Sequence, residues 1–101
     1  MKLFIDTSKR GEVRVAIESG NKTYKKSVRS VQSQNVLGLI DRLLKENKLK
    51  LSEIRGIKVN TGPGSFTGLR IGVSVANALG FSLKIPVNGK KAGEVHPIYD
   101  K

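Results

Sequence analysis

One helical stretch in the second half of the chain constrains the fold more than any other feature. From about Thr67 to Leu83, small residues recur at every fourth position, Gly68, Gly72, Ala76 and Gly80, and so line one face of a helix. A glycine inside a helix costs about 1 kcal/mol relative to alanine, so three of them imply a compensating close approach by another element. The rest of the stretch is almost wholly apolar, with only Arg70, Ser74, Asn77 and Ser82 as polar members. A helix apolar nearly all round is buried on more than one side. In a chain of 101 residues, one sheet covers only one of those sides. The small-residue face therefore sits either on the chain's own sheet or against a helix of another subunit, and the apolar circumference favours the subunit. On that expectation Gly72→Leu abolishes association and leaves the fold largely intact.

The remaining elements follow from periodicity. Residues 2–6 are a short apolar run, read as a buried strand. Residues 12–18 alternate, with Val13, Val15 and Ile17 on one face, and the Gly20-Asn21 reversal leads to an outer strand at 22–28. A helix follows on the stripe Val36, Leu37, Ile40, Leu43 and Leu44, with Ser33 or Asn35 as its cap. Ser52 is the expected cap of a short turn beyond it. Residues 54–60 alternate again as a strand anchored by Ile54 and Val59, and Ile85-Pro86-Val87 reads as a short final strand. The order βββαβαβ predicts a single α/β lobe over residues 1–101, a mixed sheet with two main helices.

No cysteine is present, which excludes disulfides and thiolate metal sites. No apolar run reaches the roughly 20 residues that span a bilayer, and the first residues lack a signal-peptide core, so a cytoplasmic protein with no membrane partner is expected. Nineteen Lys and Arg against eight Asp and Glu leave a net charge of +11, which attracts polyanions or an acidic partner. Lys22, Lys25, Lys26 and Arg29 form the densest basic segment and are the candidate RNA contacts. The weakness of an RNA-binding reading is the lack of an aromatic stacking platform.

The loop Thr61-Gly62-Pro63-Gly64-Ser65-Phe66 joins a strand to a helix N-terminus, where free N–H groups can hold an anion. It lacks the Gly-Lys-Ser/Thr ending of a P-loop. With Asp6, Thr7 and Ser8, the residues Gly64 and Ser65 make a weak candidate phosphate or nucleotide site. A structural turn with Ser65 or Thr67 as helix cap is the favoured reading. His96 stands alone, and neither a metal site nor a Ser/His/Asp or Cys/His catalytic set can be assembled, so no catalytic residue is assigned.

The run Thr61-Gly62-Pro63-Gly64-Ser65-Phe66-Thr67-Gly68-Leu69-Arg70-Ile71-Gly72 resembles the signature of the TsaB family, as do Ile5-Asp6-Thr7-Ser8 and the lead-in from Leu49 to Ile57. The resemblance covers residues 1 to about 90. It implies an actin-like, ribonuclease-H-like lobe and a non-catalytic role in tRNA threonylcarbamoyladenosine synthesis. It also implies pairing with a TsaD-like catalytic subunit, together with a TsaE-like ATPase, or homodimerisation in the absence of that subunit. No cofactor is expected on this chain; ATP and Mg²⁺ would belong to the partner complex, and tRNA would be met indirectly. Pairing through the helices of the first lobe points to Gly68, Leu69, Gly72, Val73, Ala76 and Gly80, with Leu37, Ile40 and Leu44 of the first helix. Family members usually carry a second lobe of comparable size. The tail Pro97-Ile98-Tyr99 resembles the family's closing residues, so a short form lacking that lobe is expected.

Overall fold

A computed structural model of the chain describes residues 1–29 and 33–97, with the side chains of Ser33 and Gln34 also outside the description. Three strands come first: β1 (Lys2–Asp6), β2 (Val13–Ser19) and β3 (Lys22–Val28). Helix α1 (Ser33–Glu46), strand β4 (Gly56–Val59) and helix α2 (Phe66–Leu83) follow. The sheet order is β3-β2-β1-β4, antiparallel across β3, β2 and β1 and parallel between β1 and β4. Gly11 and Gly20 turn the meander with φ of 74° and 61°, angles that cost an L side chain strain.

Strand pairing sorts the side chains cleanly. Leu3 faces Ile17 and Ile57 across the sheet, and Ile5 faces Val15 and Val59. Cross-strand partners share a face, so these residues make one apolar surface. Val36, Leu39, Ile40, Leu43 and Leu44 of α1 and Val73, Val75 and Ala76 of α2 complete the core over it. Each such Val, Leu or Ile side chain, fully buried, contributes about 1.5–3 kcal/mol. Both helices lie on this one face. The other face carries Lys2, Phe4, Arg14, Ala16, Lys25 and Lys58 in exposed or half-buried positions.

Several boundaries differ from the sequence reading. Residues 85–87 do not form a strand. Val87 makes a single parallel bridge to Ile57, and the Asn88 side chain takes over from there: its Oδ1 accepts from Val59 N at 2.8 Å and its Nδ2 donates to Val59 O at 3.0 Å. A side-chain amide thus replaces the next peptide group along the edge of β4. Pro86 contributes no N–H to extend the ladder. Ile54 is buried but lies before β4 rather than in it. The short turn is a 3-10 turn over Leu51–Glu53, capped from Lys50, whose N–H is accepted by Glu53 Oε1 at 3.2 Å, with Ser52 inside it. Helix α1 begins at Ser33, and the residue before it is outside the described residues, as are Ile98 and Tyr99 of the tail.

Candidate functional site

The parallel strands β1 and β4 end side by side, and their exits meet the N-terminus of α2. Asp6, Thr7, Ser8, Gly64 and Ser65 are brought together there. Ser8 donates to Asp6 Oδ1 from its backbone N–H at 2.9 Å and its hydroxyl at 2.6 Å, and Asn60 Nδ2 donates to the same oxygen at 3.3 Å. Asn60 also donates to Ser8 Oγ, and its Oδ1 accepts from Gly62 N at 2.9 Å. Burial of Asp6 works to raise its pKa. The bonds from Ser8 and Asn60 and the charge of Arg14 outweigh it, so the carboxyl titrates below the ordinary aspartate value.

The loop crosses this turn closely. Ser65 N donates to Ser8 O at 2.8 Å, and a Cβ on Gly64 would lie 2.6 Å from that same carbonyl oxygen. Gly64 therefore makes room for the chain's own backbone. Ser65 Oγ accepts from Gly68 N at 3.4 Å and caps α2. Asp6 Oδ1, Ser8, Asn60 and Ser65 are thus linked in one hydrogen-bonded turn. Among the described residues no buried side-chain polar atom lacks a partner, and no group of three His, Cys, Asp or Glu is placed to hold a metal. The arrangement fits a turn that locks two strands to a helix.

Thr7, fully buried, is the pivot of the packing. Its Oγ1 donates to Gly68 O at 2.6 Å. A Cβ on Gly68 would collide with the Thr7 carbonyl, and one on Gly72 with the Thr7 hydroxyl. Gly80 is filled likewise by Val87, Ala92 and the Ile85 carbonyl. The small-residue face thus points into the lobe, which corrects the intermolecular assignment of Gly68, Gly72, Ala76 and Gly80. Leu69, Val73, Ile40 and Leu44 are core residues as well. Of the residues expected at a subunit interface only Leu37 is exposed, at 46%. The close approach inferred from the glycines is real, but its partners are Thr7, just past the end of β1, and the segment after α2. A leucine at 72 would break the lobe rather than spare it.

The surface that α2 does present is the opposite one: Thr67, Arg70, Ser74, Ala78 and Phe81, with Phe66 at its start. Phe66 is 55% exposed and lies under the Arg70 guanidinium, 5.6 Å from the ring centre, and Phe81 is 79% exposed. By length and composition α2 is apolar enough to cross a membrane, with mean hydropathy 1.2 over 18 residues. Its inner face is seated on Thr7, Val87 and Ala92.

The basic residues of β3 do not share a face. Lys26 is on the helix side, where its Nζ pairs with Glu46 at 2.6 Å, and Lys22 shares that side of the strand. Lys25 alone projects from the opposite, open face of the sheet, and Arg29 lies beyond the strand. Phe4, Lys2 and Lys58 join Lys25 on that open face and were missed in the sequence. The signal was present, since Phe4 falls between Leu3 and Ile5 at the alternate position. A continuous apolar run conceals its period.

The family described as TsaD, tRNA N6-adenosine threonylcarbamoyltransferase, matches residues 27–97. The tRNA threonylcarbamoyladenosine biosynthesis protein TsaB of Buchnera aphidicola subsp. Schizaphis graminum is 36% identical over 74 residues, 65% of this chain and 35% of its own length. The TsaB protein of Haemophilus influenzae is 31% identical over 86 residues, 84% of this chain and 36% of its own length. The solved structure of YeaZ from Pseudomonas aeruginosa superposes with a TM-score of 0.79 at 32% identity, covering 85% of this chain and 41% of that one. The chain thus spans about a third of the length of the curated relatives it matches.

Proposed function

This chain belongs to the family of TsaD, tRNA N6-adenosine threonylcarbamoyltransferase, as a TsaB-type member, and on that premise we propose that it is a non-catalytic assembly subunit in tRNA threonylcarbamoyladenosine synthesis. The likeness to TsaB proteins in both sequence and fold is the observation that carries the reading. Its partner is a TsaD-type catalytic subunit, with a TsaE-type ATPase joining the assembly in the cytoplasm. Alone, the chain pairs with a second copy of itself. Pairing runs through the outward faces of α1 and α2, where Leu37, Phe66, Ala78 and Phe81 leave apolar surface in water. Exposed aromatics of this size suit the buried centre of an interface. The hydrogen-bonded turn at Asp6 and Ser8 supports a structural role for the strand ends.

The test is the solution mass of the chain by light scattering, alone and mixed with TsaD of the same organism. A dimer that converts to a heterodimer is the expected result, and Ala78→Arg on the exposed face of α2 leaves a folded monomer in both samples. A chain that stays monomeric with or without TsaD overturns the proposal.

A further inference from the structure

The open face of the sheet carries a row of side chains that runs straight across all four strands. Strand register sets Lys25 of β3 opposite Ala16 of β2, Ala16 opposite Phe4 of β1, and Phe4 opposite Lys58 of β4. At about 4.8 Å between strands the row is roughly 14 Å long. Its centre is an aromatic ring beside a methyl group, and each end is an exposed lysine. Phe4, Ala16, Lys58, Arg14, Asp6 and Asn60 border a shallow depression of about 390 Å³. Lys2 flanks Phe4 along the same strand and faces Glu18.

The charges on this face are unevenly engaged. Arg14 is held by Glu12 at 3.0 Å, and Asp6 is tied to Ser8 and Asn60. Lys2, Lys25 and Lys58 form no ion pair among the described residues. A half-buried ring in a row that ends in an unpaired lysine on either side is complementary to a strand whose bases are unstacked and whose phosphates lie on either side of the base. An acidic protein segment would match the lysines. It would leave the ring with too little apolar surface around it to anchor a folded partner. From this arrangement we infer that the open sheet face binds single-stranded nucleic acid, with one base stacked on Phe4 and flanking phosphates on Lys25 and Lys58. The choice of RNA over DNA rests on the tRNA role proposed above; the stacking and the charge pairing do not. This face is on the opposite side of the sheet from α1 and α2, so pairing through those helices does not cover it.

The experiment titrates fluorescein-labelled ten-nucleotide oligouridylate and oligoadenylate RNA with the whole chain at 0.05 and 0.2 M salt, followed by anisotropy, with heparin as a polyanion that has no bases. Binding that falls with salt is expected. Phe4→Ile removes the ring but keeps apolar bulk, and weakens RNA binding roughly five-fold or more while leaving heparin binding unchanged. Phe4→Tyr restores it. Lys25→Glu with Lys58→Glu flattens the salt dependence by about 0.7 in slope per lysine, and exceeds the effect of Lys22→Glu with Arg29→Glu at the edge strand. No binding at 0.05 M salt, or a Phe4→Ile chain that binds RNA as tightly as the unchanged one, overturns the inference. Retained pairing of the Phe4→Ile chain with TsaD keeps this outcome separate from the assembly reading.

Discussion

Two glycines in this chain show why the same residue means different things in two helices. Gly72 has no space for a methyl group, because the fully buried Thr7 occupies it and the Thr7 hydroxyl is committed to Gly68 O. Gly38, on the exposed side of α1, has open space where its Cβ would be. Gly72→Ala gains about 1 kcal/mol of helix propensity and loses more to overpacking, a net destabilisation of roughly 1–3 kcal/mol. Gly38→Ala keeps the gain, about 0.5–1 kcal/mol. Urea midpoints of the two variants should therefore move in opposite directions, and a Gly72→Ala chain as stable as its parent would refute the tight seat on Thr7. Asp6 makes a second residue-scale test. Its folded pKa is depressed, so its contribution to stability is complete above the unfolded value, near 4, and is lost as pH falls through the lower folded value. Urea titrations between pH 7 and pH 3 should show part of the acid loss disappear in Asp6→Asn, and an unaltered pH profile would remove Asp6 from the cause.

At the scale of elements, the edge of β4 rests on a side chain. Asn88 holds both the N–H and the C=O of Val59, and its own φ of 51° lies where asparagine is tolerated far better than most residues. Asn88→Ala removes two hydrogen bonds of about 0.5–1.5 kcal/mol each and adds backbone strain. A loss of about 1–3 kcal/mol in denaturant unfolding is expected, and faster amide exchange at Val59 should accompany it. No change at Val59 would mean that the Val87 bridge alone secures the edge. Helix α2 shows the same dependence on neighbours, since a stripe of small residues specifies a close approach and leaves open which element makes it.

For the whole molecule, the two exposed surfaces lie on opposite sides of the sheet. The helices share one face of the sheet and present Leu37, Ala78 and Phe81 outward. The open face presents Phe4 amid lysines. A net charge of +11 over 101 residues raises encounter rates with polyanions without choosing a site. Only the register of four strands collects Lys25 and Lys58 about one ring while sending Lys26 to Glu46 on the other side.

The positions of β1, β2, β3, α1, β4 and α2 were legible because periods of two and near 3.6, with glycine turns between them, are local properties of the chain. The strand-end cluster of Asp6, Thr7, Ser8, Gly64 and Ser65 was legible too, since β1 and β4 were both expected to end at those loops. Sidedness was not legible. Whether Gly72 meets Thr7 or another subunit, whether Phe4 is core or surface, and whether residues 85–87 extend the sheet depend on which elements cover which faces. That is decided by pairing over many tens of residues, where burial and close packing select one arrangement among several with the same local pattern.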